Sequence, residues 1–180
     1  MAHKVASPGL DVFMPFIIKP ATWSADQKTR IPELLRQIYV GGGFTSATRS
    51  EELFAVERLM ARGTAILALD ADTQAVIGHI LLATSTSPDR QVAQPDEAES
   101  HLLAVDPSAR GQGIGDALIE ALEQHALAAG LHNIVLSTQP MMLAAHRLYR
   151  KHGFVRNPQR DWTGIQRRFL VYEKRGIVRK

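Results

Sequence analysis

The chain has 180 residues, of which 45% are hydrophobic and 22% charged, a composition that is typical of one globular domain and excludes gross disorder. It contains no cysteine, which excludes disulfides, thiolate zinc sites and a cysteine nucleophile. The formal net charge of +3 is a mild basic excess without a recognition motif, so we expect no nucleic-acid partner.

The same bulk properties set expectations for targeting and domain organisation. No apolar run approaches the roughly 18 residues of a membrane-spanning helix, and the first residues lack the layout of a signal peptide. We therefore expect a cytoplasmic protein without a membrane partner. We expect a flexible leader over residues 1–13, a single domain over residues 14–176 and a basic tail over residues 177–180.

The first third of the chain predicts one strand and a first helix. A β-rich run over residues 16–20 predicts an opening strand that ends at its proline. Apolar residues at helical spacing follow, and Thr22 or Ser24 is a candidate cap. Because proline is favoured in the first turn of a helix, Pro32 predicts that this helix begins near it.

A glycine run and a second helix come next. Gly41 to Gly43 predicts the end of the first helix and a flexible loop. The second helix is expected from about Ser50 to Gly63. Its buried face is expected to carry Leu53, Val56 and Met60.

The remaining chain predicts a mixed α/β fold. A hairpin is expected over residues 65–69 and 76–83, then a polar loop over residues 84–96. Further elements are expected as a strand at 102–105, a helix at 115–129, a strand at 134–137, a helix at 141–152 and a strand at 169–172. This order predicts a mixed sheet with helices on both faces.

The segment over residues 102–115 is the one whose pattern points to chemistry. A strand runs into a loop with glycine at every second position, and that loop opens an amphipathic helix. The first amides of a helix lack partners and favour an anion, and Arg110 adds a positive charge. The pattern predicts a diphosphate site.

Two other interpretations of this loop fit its pattern less well. A glycine-rich turn that only allows close packing does not require Arg110. A dinucleotide-binding unit requires Gly-x-Gly-x-x-Gly and an acidic residue after the next strand. Here the glycines run Gly-x-Gly-x-Gly, and the next strand ends at Ser137-Thr138-Gln139 without a carboxylate.

Two motifs resemble those of the GNAT N-acetyltransferases. Arg110-Gly111-Gln112-Gly113-Ile114-Gly115 resembles the family's acetyl-CoA loop. Ala145 to Phe154 resembles its A-x-x-L-Y-x-x-x-G-F helix, and Ile18 to Thr22 its first strand. The resemblance covers residues 16–172. It implies a mostly antiparallel central sheet with a splayed pair of cofactor strands, an acetyl-CoA cosubstrate and direct acetyl transfer to a primary amine.

The resemblance also implies where the cofactor binds. The strand before the loop is expected to bulge and to splay from the strand over residues 134–137, so that pantetheine pairs with its backbone. The adenine end is expected towards Arg147 and Arg150. Met142 departs from the asparagine that family members often have there. The implied cofactor-binding residues are Leu103, Ala104, Val105, Arg110, Gly111, Gln112, Gly113, Ile114, Gly115, Asp116, Thr138, Ala145 and Tyr149.

Tyr149 and Glu99 are the implied catalytic residues. Tyr149 matches the tyrosine that protonates the leaving thiolate, although a tyrosine here is also suited to core packing. Glu99 matches a glutamate that deprotonates the amine directly or through water. His101 is the competing base because alternation places it on the same face as Glu99 and Leu103. Ser137 and Thr138 are candidates to orient water or substrate.

The acceptor is open between small amines, amino acids, antibiotics and peptide N-termini. Asp96, Glu97 and Glu99 predict a negative edge at the site mouth, and Phe44 and Trp162 are candidates for an apolar wall. A non-catalytic acyl-CoA-binding module on the same fold is the alternative function. Homodimers are common in the family. The histidines show no metal-binding spacing, so no metal is expected.

Overall fold

The fold comes from a computed structural model that describes residues 15–164 and 167–179. The expected leader over residues 1–13 lies outside the described residues. The strands are β1 (Phe16–Pro20), β2 (Thr64–Asp70), β3 (Val76–Ala83), β4 (Glu97–Val105), β5 (Asn133–Thr138), β6 (Val155–Arg156), β7 (Trp162–Gly164) and β8 (Arg167–Lys174). The helices are α1 (Ala25–Tyr39), α2 (Ala47–Leu53), α3 (Val56–Arg62), α4 (Ile114–Ala128) and α5 (Leu143–Lys151).

Helix α1 begins at Ala25, so the prediction of a start near Pro32 is wrong. The Ser24 side chain accepts a hydrogen bond from the amide of Gln27 at 3.4 Å and caps the first turn. Pro32 lies buried inside the helix, where a proline costs about 3 kcal/mol. Three neighbours on the same side, Ile31, Leu34 and Leu35, are fully buried and contribute about 1.5–3 kcal/mol each, which outweighs that cost.

The predicted second helix is two short helices, α2 and α3, with a break at Phe54 and Ala55. Phe54 is inserted into the core at the break, and Leu59 is buried one turn later. Met60 is 44% exposed, so the predicted apolar face was wrong. Because the break interrupts the helical period, the buried residues of α3 differ from those that one continuous helix predicts.

The sheet order is β1-β2-β3-β4-β5-β8-β6, and β7 pairs with β8. Among the described strands, β4 and β5 are the parallel pair and all other neighbours are antiparallel. The predicted hairpin is confirmed as β2 and β3. The strands β6 and β7 were not predicted, because they are very short.

The predicted bulge and splay are confirmed in β4. Leu81 pairs with His101 and His79 with Ala104, so Leu102 and Leu103 together oppose one residue of β3. Leu102 has a φ of 54°, in the left-handed region. Pairing between β4 and β5 extends from Glu97 to Ser100 on β4, and beyond Ser100 the strands diverge. The divergence leaves a gap in the middle of the sheet.

Helices cover both faces of the sheet, as predicted. Helices α4 and α5 pack on one face over Ile66, Ala68 and Ile80, and α1 to α3 pack on the other over Leu67 and Leu69. Helix α4 approaches the sheet closely at Gly78, where a Cβ would lie 2.9 Å from the Ile114 side chain. This approach fixes the first turn of α4 beside the bulged strand.

The chain remains packed beyond the last strand. Ile177, placed in the expected basic tail, is buried and its amide donates to the carbonyl of His132 at 2.9 Å. None of the helices in the described part of the chain has both the length and the apolar character needed to cross a membrane.

Candidate active site

The gap between β4 and β5 opens into a cleft of about 590 Å³. Its walls come from the diverging strands, from the α1–α2 connection with both short helices, and from β7 and β8. The residues that line it include Tyr39, Phe44, Arg49, Glu52, Phe54, Arg62, Ser100, His101, Leu102, Leu103, Ser137, Thr138, Gln139, Met142, Tyr149, Trp162, Arg167 and Phe169. Leu103, Thr138 and Tyr149, predicted from separate motifs, therefore meet in one cavity.

The glycine loop forms a row of free amides at the start of α4. Gly111 and Gly113 have φ values of 80° and 81°, and Gly113 occupies the N-cap position without a side-chain cap. Within residues 15–164 and 167–179, no acceptor pairs with the backbone N–H groups of residues 111–116. The helix dipole adds to these donors. The arrangement, which we call the amide cradle, is suited to a diphosphate.

Side chains hold the two ends of this loop. Asp106 caps the turn before it, accepting from the Ser108 amide at 3.0 Å, and pairs with Arg30 at 2.5 Å. Arg110 is exposed, and its Nε donates to the carbonyl of Val105 at 3.4 Å. Its charge therefore lies between the cofactor strand and the amide cradle.

Asp116 contributes its amide to the cradle while its carboxylate binds helix α5. The carboxylate lies 2.9 Å from His152 Nε2 and 2.6 Å from Lys151 Nζ. Next to it, a Cβ on Gly115 would lie 3.0 Å from the Leu148 side chain. These contacts pack helices α4 and α5 closely against each other.

Tyr149 packs in the core and also lines the cleft. Its ring packs against Phe154 and Tyr172 at centroid distances of 5.9 and 6.1 Å. It also lines the cleft, and no described residue forms a hydrogen bond with its hydroxyl. Burial raises the pKa of Tyr149 above its usual value, so the hydroxyl keeps its proton at neutral pH.

The end of β5 and the start of α5 form the opposite wall. The Thr138 hydroxyl donates to Met142 Sδ at 3.4 Å, so the residue that departs from the family pattern contacts a predicted cofactor residue. Ser137 accepts from Trp162 Nε1 at 2.9 Å. Ala145, in the first turn of α5, is half-buried against the core.

Glu99 is fully buried and does not line the cleft. Its carboxylate accepts from the backbone amides of Gln91, Val92 and Ala93 at 3.0–3.3 Å. Burial raises the pKa of Glu99, although these amides and Arg160 oppose the shift. The carboxylate therefore organises the loop before β4.

His101 lines the cleft and lies next to Glu99. Its Nε2 is 3.4 Å from Glu99 Oε1, without the geometry of a hydrogen bond. Burial, with the nearby charge of Arg62, lowers the pKa of His101 to about 3, so the ring is neutral at pH 7. Of the two candidate bases, His101 is the one with access to the cavity.

The prediction of a negative site mouth is wrong. None of Asp96, Glu97 and Glu99 lines the cleft. Glu97 is buried and pairs with Arg160 at 2.7 Å, and Asp96 accepts from Asn133 at 3.2 Å. Asp96 and Glu97 thus have partners that lie far along the chain, and Glu99 is held by the amides of the preceding loop.

Tyr39, Arg62 and Arg167 also line the cleft, and none of the three was predicted as a site residue. The Tyr39 hydroxyl donates to the carbonyl of Leu103 at 3.1 Å, across a separation of 64 residues. Such contacts carry no local signal. Phe44 and Trp162, predicted as an apolar wall, do line the cleft. In the described ranges, no group of three or more metal-ligating side chains is positioned to hold a metal ion.

Comparisons with known proteins agree with this geometry. A model of the acetyltransferase (GNAT) family matches residues 30–154. The chain is 40% identical over 67 residues to mycothiol acetyltransferase of Paenarthrobacter aurescens (strain TC1), covering 37% of this chain and 21% of that protein. It is 46% identical over 52 residues to IAA acetyltransferase of Azospirillum brasilense, covering 29% of this chain and 34% of that protein. The matches therefore span about a fifth and a third of these two relatives.

A solved structure shows the same fold over most of the chain. It is a Salmonella typhimurium protein assigned as an acetyltransferase, solved with its cofactor acetyl-CoA. The TM-score is 0.65 at 18% identity, covering 89% of this chain and 94% of that chain. At this identity the likeness concerns the fold alone.

Proposed function

The chain belongs to the acetyltransferase (GNAT) family, and from that premise we propose that it transfers an acetyl group from acetyl-CoA directly to a primary amine within a ternary complex. The observation that carries the proposal is the amide cradle, which opens beside a cleft lined by Tyr149. A free row of N–H donors at a helix start fits the pyrophosphate of the cofactor. Acetyl-CoA supplies an activated thioester, which leaves a thiolate on transfer.

We propose that residues 110–116 bind the pyrophosphate and that the backbone of Leu103 to Val105 pairs with pantetheine. The carbonyls of Leu103 and Val105 each have a side-chain donor, from Tyr39 and Arg110. A carbonyl oxygen has two lone pairs, so these contacts leave room for a second donor. Thr138 and Ala145 are proposed to contact the cofactor from the far side of the gap.

Tyr149 is proposed as the acid. A C–N bond forms to the amine while the C–S bond breaks, and the sulfur takes up a proton. A neutral phenol in the cleft, with no other bond from the described residues, is suited to donate it. Its raised pKa keeps that proton available over the whole physiological range.

The amine has a pKa near 10.4 and must lose a proton before it attacks. Because Glu99 is outside the cleft and 3.4 Å behind His101, we propose that Glu99 acts through the His101 ring. The imidazole accepts the proton at the cleft surface. Because a pKa of about 3 makes the ring by itself a weak base, we propose that the buried carboxylate stabilises the imidazolium that forms.

The test is acetyl-CoA-dependent thiol release with a panel of amines, amino acids, aminoglycosides and peptides with free N-termini. We expect release above the no-acceptor background with at least one class, and its loss in Tyr149→Phe. Acetyl-CoA binding is measured in parallel by calorimetry. Binding without release for any acceptor would favour the alternative, a non-catalytic acyl-CoA-binding module.

A further inference from the structure

The ionisable side chains that line the cleft include more basic than acidic groups. Those that line it are Arg49, Glu52, Arg62, His101 and Arg167. The balance therefore depends on which of the arginines already have carboxylate partners. His101 is neutral at pH 7 because burial lowers its pKa to about 3.

The floor of the cleft is electrically balanced. Arg62 is 5% exposed, and its Nη2 lies 2.9 Å from Asp89 Oδ2. Arg58, behind it, lies 2.9 Å from the same oxygen and also contacts Glu52. The bonds from Arg58 and the charge of Arg62 hold the pKa of Asp89 at about 2. The positive charges of Arg58 and Arg62 are therefore balanced by the negative charges of Asp89 and Glu52.

The walls of the cleft are not balanced. No carboxylate among residues 15–164 and 167–179 forms an ion pair with Arg49 or with Arg167. Arg167 Nη1 donates to the carbonyl of Gly43 at 2.9 Å and to Gln139 Oε1 at 3.0 Å. Both acceptors are neutral, so they hold the guanidinium in place without cancelling its charge.

An apolar surface accompanies these two cations. The rings of Trp162 and Phe169 stack at 4.2 Å with an interplanar angle of 10°, and both line the cleft beside Arg167. The Trp162 indole is fixed by its bond to Ser137. A rigid aromatic wall next to a fixed guanidinium is suited to a ligand with one flat or apolar part and one anionic part.

We propose that the acceptor is a small amine that also carries an anionic group, a carboxylate or a phosphate, which Arg167 binds with help from Arg49. An apolar part of the acceptor lies against Trp162 and Phe169. This rests on the proposed acetyl transfer to an amine. A guanidinium forms paired, charge-assisted hydrogen bonds with either anion, whereas polyamines and aminoglycosides place further positive charge beside two arginines.

The test compares acceptors that differ in the anionic group and in its effect on the pKa of the amine. L-phenylalanine is compared with L-phenylalaninamide, and O-phosphoethanolamine with ethanolamine, so that the two arms distinguish carboxylate from phosphate. We expect at least one anionic acceptor to exceed its neutral partner about tenfold in kcat/KM. Equal or better use of the neutral partner in both pairs would overturn the proposal.

Variants of Arg167 identify the residue responsible. Arg167→Gln is expected to remove about tenfold from the preferred anionic acceptor, mainly through KM, and to lower the use of its neutral partner by a smaller factor. Arg168→Gln is the matched control, because Arg168 is the next residue of β8, pairs with Asp161 and does not line the cleft. Arg167→Glu should reverse the preference towards amines with a second positive charge. If Arg167→Gln and Arg168→Gln are indistinguishable, the assignment to Arg167 is wrong.

A binding measurement keeps this inference separate from the proposed function. Thermal shifts are recorded with CoA present and with N-acetyl-L-phenylalanine or N-acetyl-L-phenylalaninamide. A larger shift for the acid, lost in Arg167→Gln, supports the anion site even if no amine is turned over. Failure of every acceptor with normal acetyl-CoA binding counts against catalysis. Equal shifts for acid and amide count against the anion site.

Discussion

His79 Nδ1 lies 2.9 Å from the carbonyl oxygen of Leu102, at the bulge in the cofactor strand. Because a carbonyl only accepts, the ring carries its proton on Nδ1, and Nε2 is buried without a partner among the described residues. Leu102 has a φ of 54°, a conformation that costs a leucine about 1–2 kcal/mol. The histidine therefore stabilises the bulge from the neighbouring strand.

Replacing this histidine is expected to affect both stability and cofactor affinity. His79→Phe keeps the bulk but leaves the Leu102 carbonyl without its donor, which should lower the free energy of unfolding by about 1–3 kcal/mol. The KM for acetyl-CoA should rise because the bulge shapes the cofactor strand. Denaturant unfolding and steady-state kinetics measure the two effects.

His125→Phe is the control for this prediction. His125 Nδ1 lies 2.8 Å from the Ala121 carbonyl on helix α4, away from the bulge. The His125→Phe variant should lose stability without a change in the KM for acetyl-CoA. A similar KM change in both variants would contradict a specific role for His79.

The glycines of the amide cradle give a second prediction. In Gly113→Ala the new Cβ meets no atom within 4 Å, but the φ of 81° is unfavourable for alanine, by about 1 kcal/mol. We also expect acetyl-CoA affinity to fall by about tenfold or more, because the cradle must relax or is obstructed. Calorimetric titration with acetyl-CoA measures this loss.

Gly130→Ala is the matched control, with a φ of 76° and open space around its Cβ at the other end of α4. It should be destabilised to the same extent and bind acetyl-CoA normally. Equal acetyl-CoA affinities for the two variants would show that the amide cradle is not part of the cofactor site.

Tyr149→Phe tests the proposed acid. Loss of a general acid typically costs 10²–10⁴-fold, so kcat should fall by roughly 10²-fold or more with little change in the KM for acetyl-CoA. The ring contacts with Phe154 and Tyr172 remain, so the unfolding free energy should change little. Unchanged turnover in a folded variant would show that the thiolate is protonated by another group.

The pairing of Glu99 with His101 predicts non-additive kinetics. If the carboxylate acts through the ring, Glu99→Gln and His101→Asn should each lower kcat, and the double variant should be no slower than the slower single variant. If Glu99 only holds the amides of residues 91–93, its replacement should lower stability and its kinetic effect should add to that of His101. A kinetic double-mutant cycle distinguishes the two.

Buried histidines also predict acid sensitivity. Burial lowers the pKa of His79 from 6.5 to about 4 and that of His101 to about 3. Below pH 6.5 the unfolded chain thus binds more protons than the native chain, and stability falls as the pH drops towards 4. Each extra proton contributes a slope of about 1.4 kcal/mol per pH unit. The raised pKa of Glu99 acts in the opposite direction by at most one proton.

Denaturant unfolding at pH values from 7 to 4 measures this trend. His79→Phe should give a shallower slope than the wild type, because the proton that His79 takes up on unfolding is removed from the balance. An unchanged slope would mean that the pKa of His79 is the same in the native chain as in the unfolded chain.

The sequence determined those features that depend on residues close together in the chain. The spacing of Gly111, Gly113 and Gly115 after a strand fixed the cradle, because left-handed backbone and free helix amides are local properties. The hairpin and the helices α4 and α5 followed in the same way, whereas the role of Tyr149 was implied by the family resemblance. The start of α1 predicted from Pro32 was wrong, because the burial of Ile31, Leu34 and Leu35 outweighs the preference of proline for the first turn.

Only the tertiary structure decided which side chains reach the cleft. Glu99 and His101 are two residues apart, yet the Glu99 carboxylate binds loop amides while the His101 ring lines the cavity. Glu97 is neutralised by Arg160, 63 residues away, whereas Arg167 has no carboxylate partner among the described residues. Charge at a site depends on such distant pairings, and pairing across long separations is set by packing of the whole sheet rather than by local pattern.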